Sequence, residues 1–216
     1  MSVSLRCYST SLGCPKNRVD TERLLGSLGV ALVPVESPDE AELVFINTCA
    51  FIQPATEESV RTIAQAIADI EELPQRPLLA VAGCLVGRYH AEDLAPELPE
   101  VDLWLDNSDL EAWPAMLARK LGLPEPTVPG RILSTGPSYA WLKISDGCRH
   151  ACSFCAIPNI RGGHRSHCKD MIVREARALL DQGVKELNLV AQDLTEWGCD
   201  LDGKPVSYTH LTLPTK

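Results

Sequence analysis

Three cysteines lie close together in the second half of the sequence. Cys148, Cys152 and Cys155 form a C-x3-C-x2-C run directly after a predicted strand. A structural zinc site usually has four protein ligands, and no second C-x2-C pair follows this run. A cubane iron-sulfur cluster held by three cysteines instead keeps one iron free for a non-protein ligand. The spacing therefore favours a cluster, with zinc completed by a histidine at position 150, 164 or 167, or inert thiols, as the alternatives.

Three further cysteines are spread over the first half of the chain. Cys14, Cys49 and Cys84 each follow one of the predicted strands within a few residues. The carboxyl ends of the strands in an open parallel sheet line one crevice, so thiolates far apart in sequence can meet there. The alternative is three thiols buried in unrelated loops. We expect the strand-end positions to form a second ligand set.

Short apolar runs that alternate with helical patterns are the elements that would position Cys14, Cys49 and Cys84. Continuous apolar runs are typical of strands buried on both faces of a parallel sheet. The predicted strands are Ser2–Tyr8, Ala31–Val35, Leu43–Asn47 and Leu78–Ala82, with a further one from Leu103. The predicted helices are Asn17–Leu28, about Pro54–Leu73, and one from near Ser108 to Leu121. The alternation predicts an α/β domain over residues 1–122 with a doubly wound parallel sheet.

Proline and glycine separate this domain from a second one. Four prolines fall in residues 123–137, which predicts a linker. A predicted strand at Ala140–Ser145, a helix at Lys169–Gln182 and a strand at Glu186–Ala191 then form a βαβ unit. This unit predicts the start of a second, truncated α/β domain over residues 138–205. The cysteine run lies in the loop after its first strand.

The second strand of this unit ends in Gln192 and Asp193. Barrel enzymes place their working residues at the carboxyl ends of strands, so both are candidate site residues, although a polar turn would look the same. Downstream of the cysteine run, Arg161, Arg165 and Lys169 make the chain locally basic. This charge could face an acidic substrate or balance the thiolates.

The cysteine run also lies in a recognisable sequence context. AWLKISDGC at 140–148, CSFCAIP at 152–158 and Arg161-Gly162 closely resemble the radical S-adenosylmethionine (SAM) signature of methylthiotransferases. The resemblance implies the first (β/α) units of a partial radical SAM barrel, and a 4Fe-4S cluster on Cys148, Cys152 and Cys155 whose open iron binds SAM. It places Phe154 near the adenine. Gln192 and Asp193 become candidate SAM contacts.

The first domain resembles the amino-terminal domain of the same family. GCPKN at 13–17, followed by VDTE at 19–22, is similar to the branch that modifies a ribosomal protein. The resemblance implies a second, auxiliary 4Fe-4S cluster on Cys14, Cys49 and Cys84. The remaining cysteines match no ligand position of the family, and we expect them to be structural or incidental; they are Cys7, Cys168 and Cys199.

The resemblance implies methylthiolation of the β-carbon of an aspartate in small-subunit ribosomal protein twelve. It assigns no catalytic residue beyond the cluster ligands, and it implies SAM and an external electron donor such as flavodoxin or ferredoxin. A transfer-RNA adenosine methylthiotransferase would share every cluster ligand and is the first alternative. A non-catalytic iron-sulfur or zinc-binding module is the second.

The charge and hydropathy of the sequence indicate which partners and which cellular location to expect. The formal net charge of −9 disfavours diffuse binding to a nucleic acid backbone, which needs clustered basic residues. No run of 18 apolar residues occurs, so we expect a cytoplasmic enzyme with no membrane association. Because only two strands of the second domain are present, we expect the chain to be a fragment that is inactive alone. Residues 206–216 resemble translated vector sequence, and we expect a non-native tail there.

Overall fold

A computed structural model describes residues 4–201, which form two compact units that divide after Ile132. The expected non-native tail at 206–216 lies outside the described residues. Within residues 4–201, none of the helices combines the length and the apolar character needed to cross a membrane.

The first unit is built on a sheet of five strands that are all parallel, in the order β2-β1-β3-β4-β5. The strands are β1 (Ser4–Ser11), β2 (Ala31–Pro34), β3 (Leu43–Thr48), β4 (Leu78–Gly83) and β5 (Leu103–Asp106). All six residues of β3 are buried, as its unbroken apolar sequence indicates for a central strand. The predicted doubly wound parallel sheet is confirmed.

Five helices accompany this sheet. They are α1 (Pro15–Ser27), α2 (Gln53–Ile70), α3 (Cys84–Tyr89), α4 (Ala91–Leu94) and α5 (Trp113–Leu121). A proline in the first turn begins α1, α2 and α5, where its missing N–H has no helical partner to lose. Gly122, in the left-handed conformation, ends α5.

Helices cover both faces of the sheet. On one face, Phe45 of β3 packs in a buried cluster with Leu24 of α1 and Trp113 and Leu117 of α5. Each such side chain contributes about 1.5–3 kcal/mol when it is fully buried. The opposite face is covered by α2, which packs against β3 and whose Ile63 is inaccessible to solvent. The central strands β3 and β4 are therefore buried on both faces, which leaves the loops at the strand ends as the place for functional groups.

The strand order fixes which edge carries a crevice. After β1 the chain adds β2 on one side, and it then returns to add β3, β4 and β5 on the other. Connections from β1 and β3 therefore leave in opposite directions, which opens a crevice at their carboxyl ends. Ligands of doubly wound sheets bind at this point.

Three details of the first unit differ from the sequence prediction. Strand β1 continues three residues beyond Tyr8, to Ser11. The last helix begins at Trp113, because Asn107–Asp109 form a separate 3-10 turn in which the Asp106 carboxylate accepts a hydrogen bond from the N–H of Ser108 at 2.6 Å. Helices α3 and α4 were not predicted, since runs of six and four residues are too short to show a helical period.

The last residues before the division are fastened to α1. Arg131 donates from Nε and Nη2 to Oε2 of Glu22, at 2.9 and 2.7 Å, and both side chains are more than nine-tenths buried. The N–H of Ile132 donates to the carbonyl of Glu22 at 3.1 Å, and the N–H of Gly130 donates to Oγ of Ser27 at 3.1 Å. This part of the predicted linker is therefore an ordered strap on the first unit.

The second unit begins with a βαβ motif. Its elements are β6 (Tyr139–Lys143), β7 (Ser145–Asp146), α6 (Ile157–Arg161), β8 (Arg165–Ser166), α7 (Lys169–Asp181) and β9 (Glu186–Val190). Strands β6 and β9 are parallel neighbours, and α7 packs against β6. The predicted strand at 140–145 is thus divided, and its last part, β7, pairs with β8 in antiparallel fashion.

Candidate iron-sulfur sites

The strand-end cysteines of the first unit all lie at the crevice edge of the sheet. Cys14 caps α1 shortly after β1, Cys49 follows β3 directly, and Cys84 follows β4 directly. Thr48 and Gly83 are register partners, so the chain leaves β3 and β4 side by side before Cys49 and Cys84. The topology therefore brings the three loops together, as the sequence predicts.

Two glycines permit this close approach. Gly13 has φ +82°, and a Cβ placed there would lie 2.7 Å from Sγ of Cys49. The loop that carries Cys14 therefore rests directly on the neighbouring cysteine. Gly83 has φ +100°, and a Cβ there would collide with the side chain of Asn47 and lie 2.6 Å from the carbonyl oxygen of Thr48. Only glycine fits these two positions without displacing a neighbour.

A buried asparagine ties the loops to one another. Asn17 is inaccessible to solvent, and its Nδ2 donates to the carbonyl oxygens of Leu12 at 2.9 Å and Thr48 at 2.8 Å. Nδ2 of Asn47 in turn donates to the carbonyl oxygen of Asn17 at 2.9 Å. The loops after β1 and β3 are thus linked by hydrogen bonds within a dry interior, each worth about 0.5–1.5 kcal/mol.

The cysteines themselves take part in this polar network. Sγ of Cys84 lies 3.8 Å from Oδ1 of Asn17, to which the thiol donates, and 3.8 Å from Nδ2 of Asn107, from which it accepts. The N–H of Cys49 donates to Oγ of Ser59 at 3.0 Å, and this hydroxyl donates back to the carbonyl of Cys49 at 2.7 Å. Sequence reasoning missed Asn107 and Ser59, because only the fold brings them to the cysteines.

Cys7 is chemically distinct from the strand-end cysteines. Its side chain belongs to the buried apolar cluster beneath α1, and burial raises the pKa of its thiol to about 12. A thiol that stays protonated is a poor metal ligand, because the thiolate is the binding form. Cys7 is therefore structural, as expected. All nine cysteines are free thiols.

The second set of cysteines lies on the loop between β7 and α6. Cys152 is exposed, while Cys148 and Cys155 are half-buried. The N–H of Cys155 donates to the carbonyl of Cys152 at 3.0 Å, which forms a tight turn between them. The Phe154 ring is 88% exposed, so it has no packing role in this unit. The loop therefore carries one exposed and two half-buried cysteines, and the adenine contact of Phe154 stays a prediction.

The base of this loop is held by buried charges. Oδ2 of Asp146 lies 2.7 Å from Nζ of Lys143 and 3.1 Å from Nη1 of Arg161. Burial alone would raise the pKa of Asp146, but these two cations together hold it below its ordinary range. Arg161 is only 2% exposed, and its charge is directed inward, to Asp146, so it does not contribute to an exposed basic surface.

The strand-end polar residues lie next to the cysteine loop. Asp193 accepts hydrogen bonds from Thr195, which lower the pKa of its carboxyl group, and its Oδ2 lies 3.3 Å from Nε2 of His150. His150 lies between the first two cysteines of the loop. Both polar side-chain atoms of Gln192 are shielded from solvent and have no hydrogen-bond partner among residues 4–201. Gln192 therefore has unused capacity for a polar ligand.

The protein ligands of a single metal ion must lie close to one another. Two sulfurs on one zinc ion lie no further apart than about 4.6 Å, twice a Zn–S bond of about 2.3 Å. Among the described residues, neither set of three cysteines has all its sulfurs within 4.8 Å of one another. Two groups of side chains do have all their ligand atoms within 4.8 Å of one another. They are His150 with Asp193 and Glu196, and His164 with Cys199 and Asp200. Among the described residues, the groups close enough for a single metal ion therefore differ from the two predicted cysteine sets, and cluster binding by those sets stays a prediction.

Comparison with known proteins shows which sequences this chain resembles. Residues 6–106 match the group described as "Uncharacterized protein family UPF0004". The chain is 70% identical, over 194 residues and 90% of its length, to "Ribosomal protein uS12 methylthiotransferase RimO" of Nitratidesulfovibrio vulgaris (strain DP4). A protein of the same name in Lawsonia intracellularis is 59% identical over 201 residues, 93% of this chain. One in Sulfurihydrogenibium sp. (strain YO3AOP1) is 46% identical over 206 residues, 95% of this chain.

These alignments cover 45–46% of the relatives' own length, so the chain spans slightly less than half of the proteins that it matches. Over about nine tenths of its own length, the chain is thus similar in sequence to proteins named ribosomal protein uS12 methylthiotransferases.

Proposed function

We propose that the chain forms the cluster-binding part of an enzyme that methylthiolates an aspartate of ribosomal protein uS12. The observation that carries the proposal is the placement of Cys14, Cys49 and Cys84 at the crevice edge of the first unit, with the independent cysteine loop in the second. The names of the relatives support the reaction and the substrate. Two 4Fe-4S clusters and SAM are the cofactors that we assign.

Each residue set has a separate task in this proposal. Cys14, Cys49 and Cys84 hold an auxiliary cluster, and Cys148, Cys152 and Cys155 hold the cluster whose open iron binds SAM. When bound, these groups supply reductive cleavage of SAM, removal of hydrogen from the aspartate β-carbon and a sulfur source for the methylthio product. The electron comes from an external donor such as flavodoxin or ferredoxin.

The protein contributes positioning and exclusion of water. The Asn17 network and the clamp of Cys49 on Ser59 fix the strand-end loops, so the thiolates need little rearrangement to bind iron. In the second unit, Phe154 is free to cover the adenine of SAM. Gln192 offers an unpaired amide and Asp193 a carboxylate for the polar groups of the same ligand.

Two alternatives differ in substrate or in chemistry. The first is a transfer-RNA adenosine methylthiotransferase, which the names of the relatives do not favour. The net charge of −9 also gives no diffuse attraction to RNA. The second is a module that binds metal but never cleaves SAM. We place the enzyme in the cytoplasm, where free thiols such as these nine cysteines persist.

The test uses a chimera in which this sequence replaces the matching segment of the Nitratidesulfovibrio vulgaris relative. We expect it to add a methylthio group to uS12, detected by mass spectrometry, and to form 5′-deoxyadenosine from SAM. Cys155→Ala should abolish both products. Cys49→Ala should keep SAM cleavage and lose the methylthio product, because radical formation needs only the second-unit cluster.

Cys168→Ala is the matched control, since this exposed cysteine belongs to neither set. It should leave both products unchanged. Circular dichroism must show that the Cys49→Ala variant is folded. A folded Cys49→Ala variant that methylthiolates uS12 at the normal rate would refute the assignment of the auxiliary cluster. Modification of transfer RNA in place of uS12 would establish the first alternative.

A further inference from the structure

The cysteine loop of the second unit is closed at its base by a buried three-residue ion cluster. Lys143 ends β6, before the loop, and Arg161 ends α6, after it. Asp146 lies between them: its Oδ2 is 2.7 Å from Nζ of Lys143, and its Oδ1 and Oδ2 are each 3.1 Å from Nη1 of Arg161. The side chains are 1%, 6% and 2% exposed, respectively. All three cysteines of the loop lie between Asp146 and Arg161.

The backbone closes at the same place. The N–H of Cys148 donates to the carbonyl of Gly162 at 3.2 Å, and Asp146 pairs with Arg165 between β7 and β8. Gly147 has φ +66°, and a Cβ there would lie 2.7 Å from the carbonyl oxygen of Gly162. The first cysteine is thus held directly to the residue that follows α6. The ion cluster and the backbone contacts together join the two ends of the loop.

Such a cluster favours one geometry strongly. Buried charges are stable only while each keeps its partner, because an unpaired charge in a dry interior is very unfavourable. Lys143 and Asp146 are joined through the strand end, whereas Arg161 reaches Asp146 from across the loop. Movement of one loop end relative to the other would separate Arg161 from the carboxylate. The tip of the loop, where Cys152 is exposed, is held by contacts nearer the surface, such as the one between Nε2 of His150 and Oδ2 of Asp193 at 3.3 Å.

We propose that Lys143, Asp146 and Arg161 are positioning residues that form a clasp, which holds the cysteine loop in its binding geometry before any cluster is present. The clasp deepens the proposed function, since its purpose rests on cluster binding by Cys148, Cys152 and Cys155. A loop that is ordered in advance binds its ligand with a smaller loss of conformational entropy. Ligand-supporting groups of this kind typically change metal affinity by about 10–100-fold when they are removed.

The test compares Lys143→Met with Leu179→Ala. The first removes one charge of the clasp and keeps the side-chain length; the second makes a cavity in the core of the same unit, away from the loop. Hydrogen exchange is first measured on both chains without iron. We expect Lys143→Met to speed exchange at least about tenfold within residues 147–162 and less in α7, whereas Leu179→Ala should affect α7 and β9 first. Equal exchange in the loop of Lys143→Met and the unaltered chain would overturn the clasp.

Iron binding is then measured in chains whose Cys14, Cys49 and Cys84 are alanine, so that only the loop can hold a cluster. Lys143→Met should bind iron about 10–100-fold more weakly than the unaltered loop, with an altered electron paramagnetic resonance spectrum after reduction. Leu179→Ala should keep the spectrum. Equal loss of iron in both variants would reduce Lys143 to a general stabiliser of the unit and overturn its positioning role.

The two measurements separate this inference from the proposed function. If the unaltered loop binds no iron, the proposed cluster fails while the exchange result still decides whether the clasp orders the loop. If the loop binds iron and the exchange of Lys143→Met is unchanged, the clasp fails alone.

Discussion

Replacement of Gly83 by alanine should disrupt the first-unit site through backbone strain. Gly83 has φ +100° and ψ −154°, a region that is essentially reserved for glycine and costs other residues about 1–3 kcal/mol. An added Cβ would also collide with the Asn47 side chain and lie 2.6 Å from the Thr48 carbonyl oxygen, and such overpacking costs about 1–3 kcal/mol. We expect a total destabilisation of about 2–6 kcal/mol, against a usual domain stability of about 5–15 kcal/mol.

The matched control is Gly29→Ala. Gly29 also has a positive φ, +67°, but no atom lies within 4 Å of an added Cβ. It should therefore cost only the conformational term of about 1–2 kcal/mol. The difference in stability between the two variants is measured by urea unfolding. Hydrogen exchange in peptides of the first unit serves as the signal, so unfolding of the second unit does not interfere.

Iron content after anaerobic reconstitution is the second readout. Gly83 precedes Cys84, so Gly83→Ala should also lower iron binding by the first unit, whereas Gly29→Ala should leave it unchanged. If Gly83→Ala were as stable as Gly29→Ala and bound as much iron, the close packing of the strand-end loops would be refuted.

Three further predictions concern separate parts of the first unit. Burial raises the pKa of the Cys7 thiol to about 12, so the stability that this thiol contributes is complete below the ordinary thiol pKa of 9.0 and declines as the pH rises from there toward 12. Iodoacetamide at pH 8 should label the exposed Cys152 and spare the buried Cys7. Equal labelling of the two cysteines in peptide mass spectra would contradict this prediction. Arg131→Met leaves the Glu22 carboxylate buried without its guanidinium partner, so it should lower the free energy of unfolding, measured by urea titration, by about 3–5 kcal/mol. A loss below about 1 kcal/mol is typical of an exposed ion pair and would mean that the strap is exposed in solution. Asn107→Leu removes the hydrogen-bond donor to Sγ of Cys84, a proposed cluster ligand, and should lower the reduction potential of the auxiliary cluster. An unchanged potential in a redox titration would show that Asn107 does not contact this ligand when the cluster is bound.

The sheet could be predicted from the sequence because its central strands are buried on both faces. The run Leu43–Asn47 is continuously apolar up to its last residue, and the observed β3 extends it by one residue. The convergence of Cys14, Cys49 and Cys84 followed from parallel topology alone, without knowledge of any side-chain contact.

The polar contacts could not be predicted, because they join residues that are distant in sequence. Arg131 meets Glu22 across 109 positions, in a segment whose prolines indicate a flexible linker. Arg161 looked like part of a basic surface, and only the packing of α6 shows that it is directed toward Asp146. Asn107 depends on where the chain leaves β5, which no local pattern reports.

The central claim, that the chain carries two separate cluster sites, is tested most directly by counting iron. The 216-residue chain and two triple alanine variants, one for each set of cysteines, are reconstituted without oxygen and analysed for iron and sulfide. We expect about eight irons in the unaltered chain and about four in each variant, as two 4Fe-4S clusters require. A variant lacking Cys14, Cys49 and Cys84 that kept the full iron content would contradict the account.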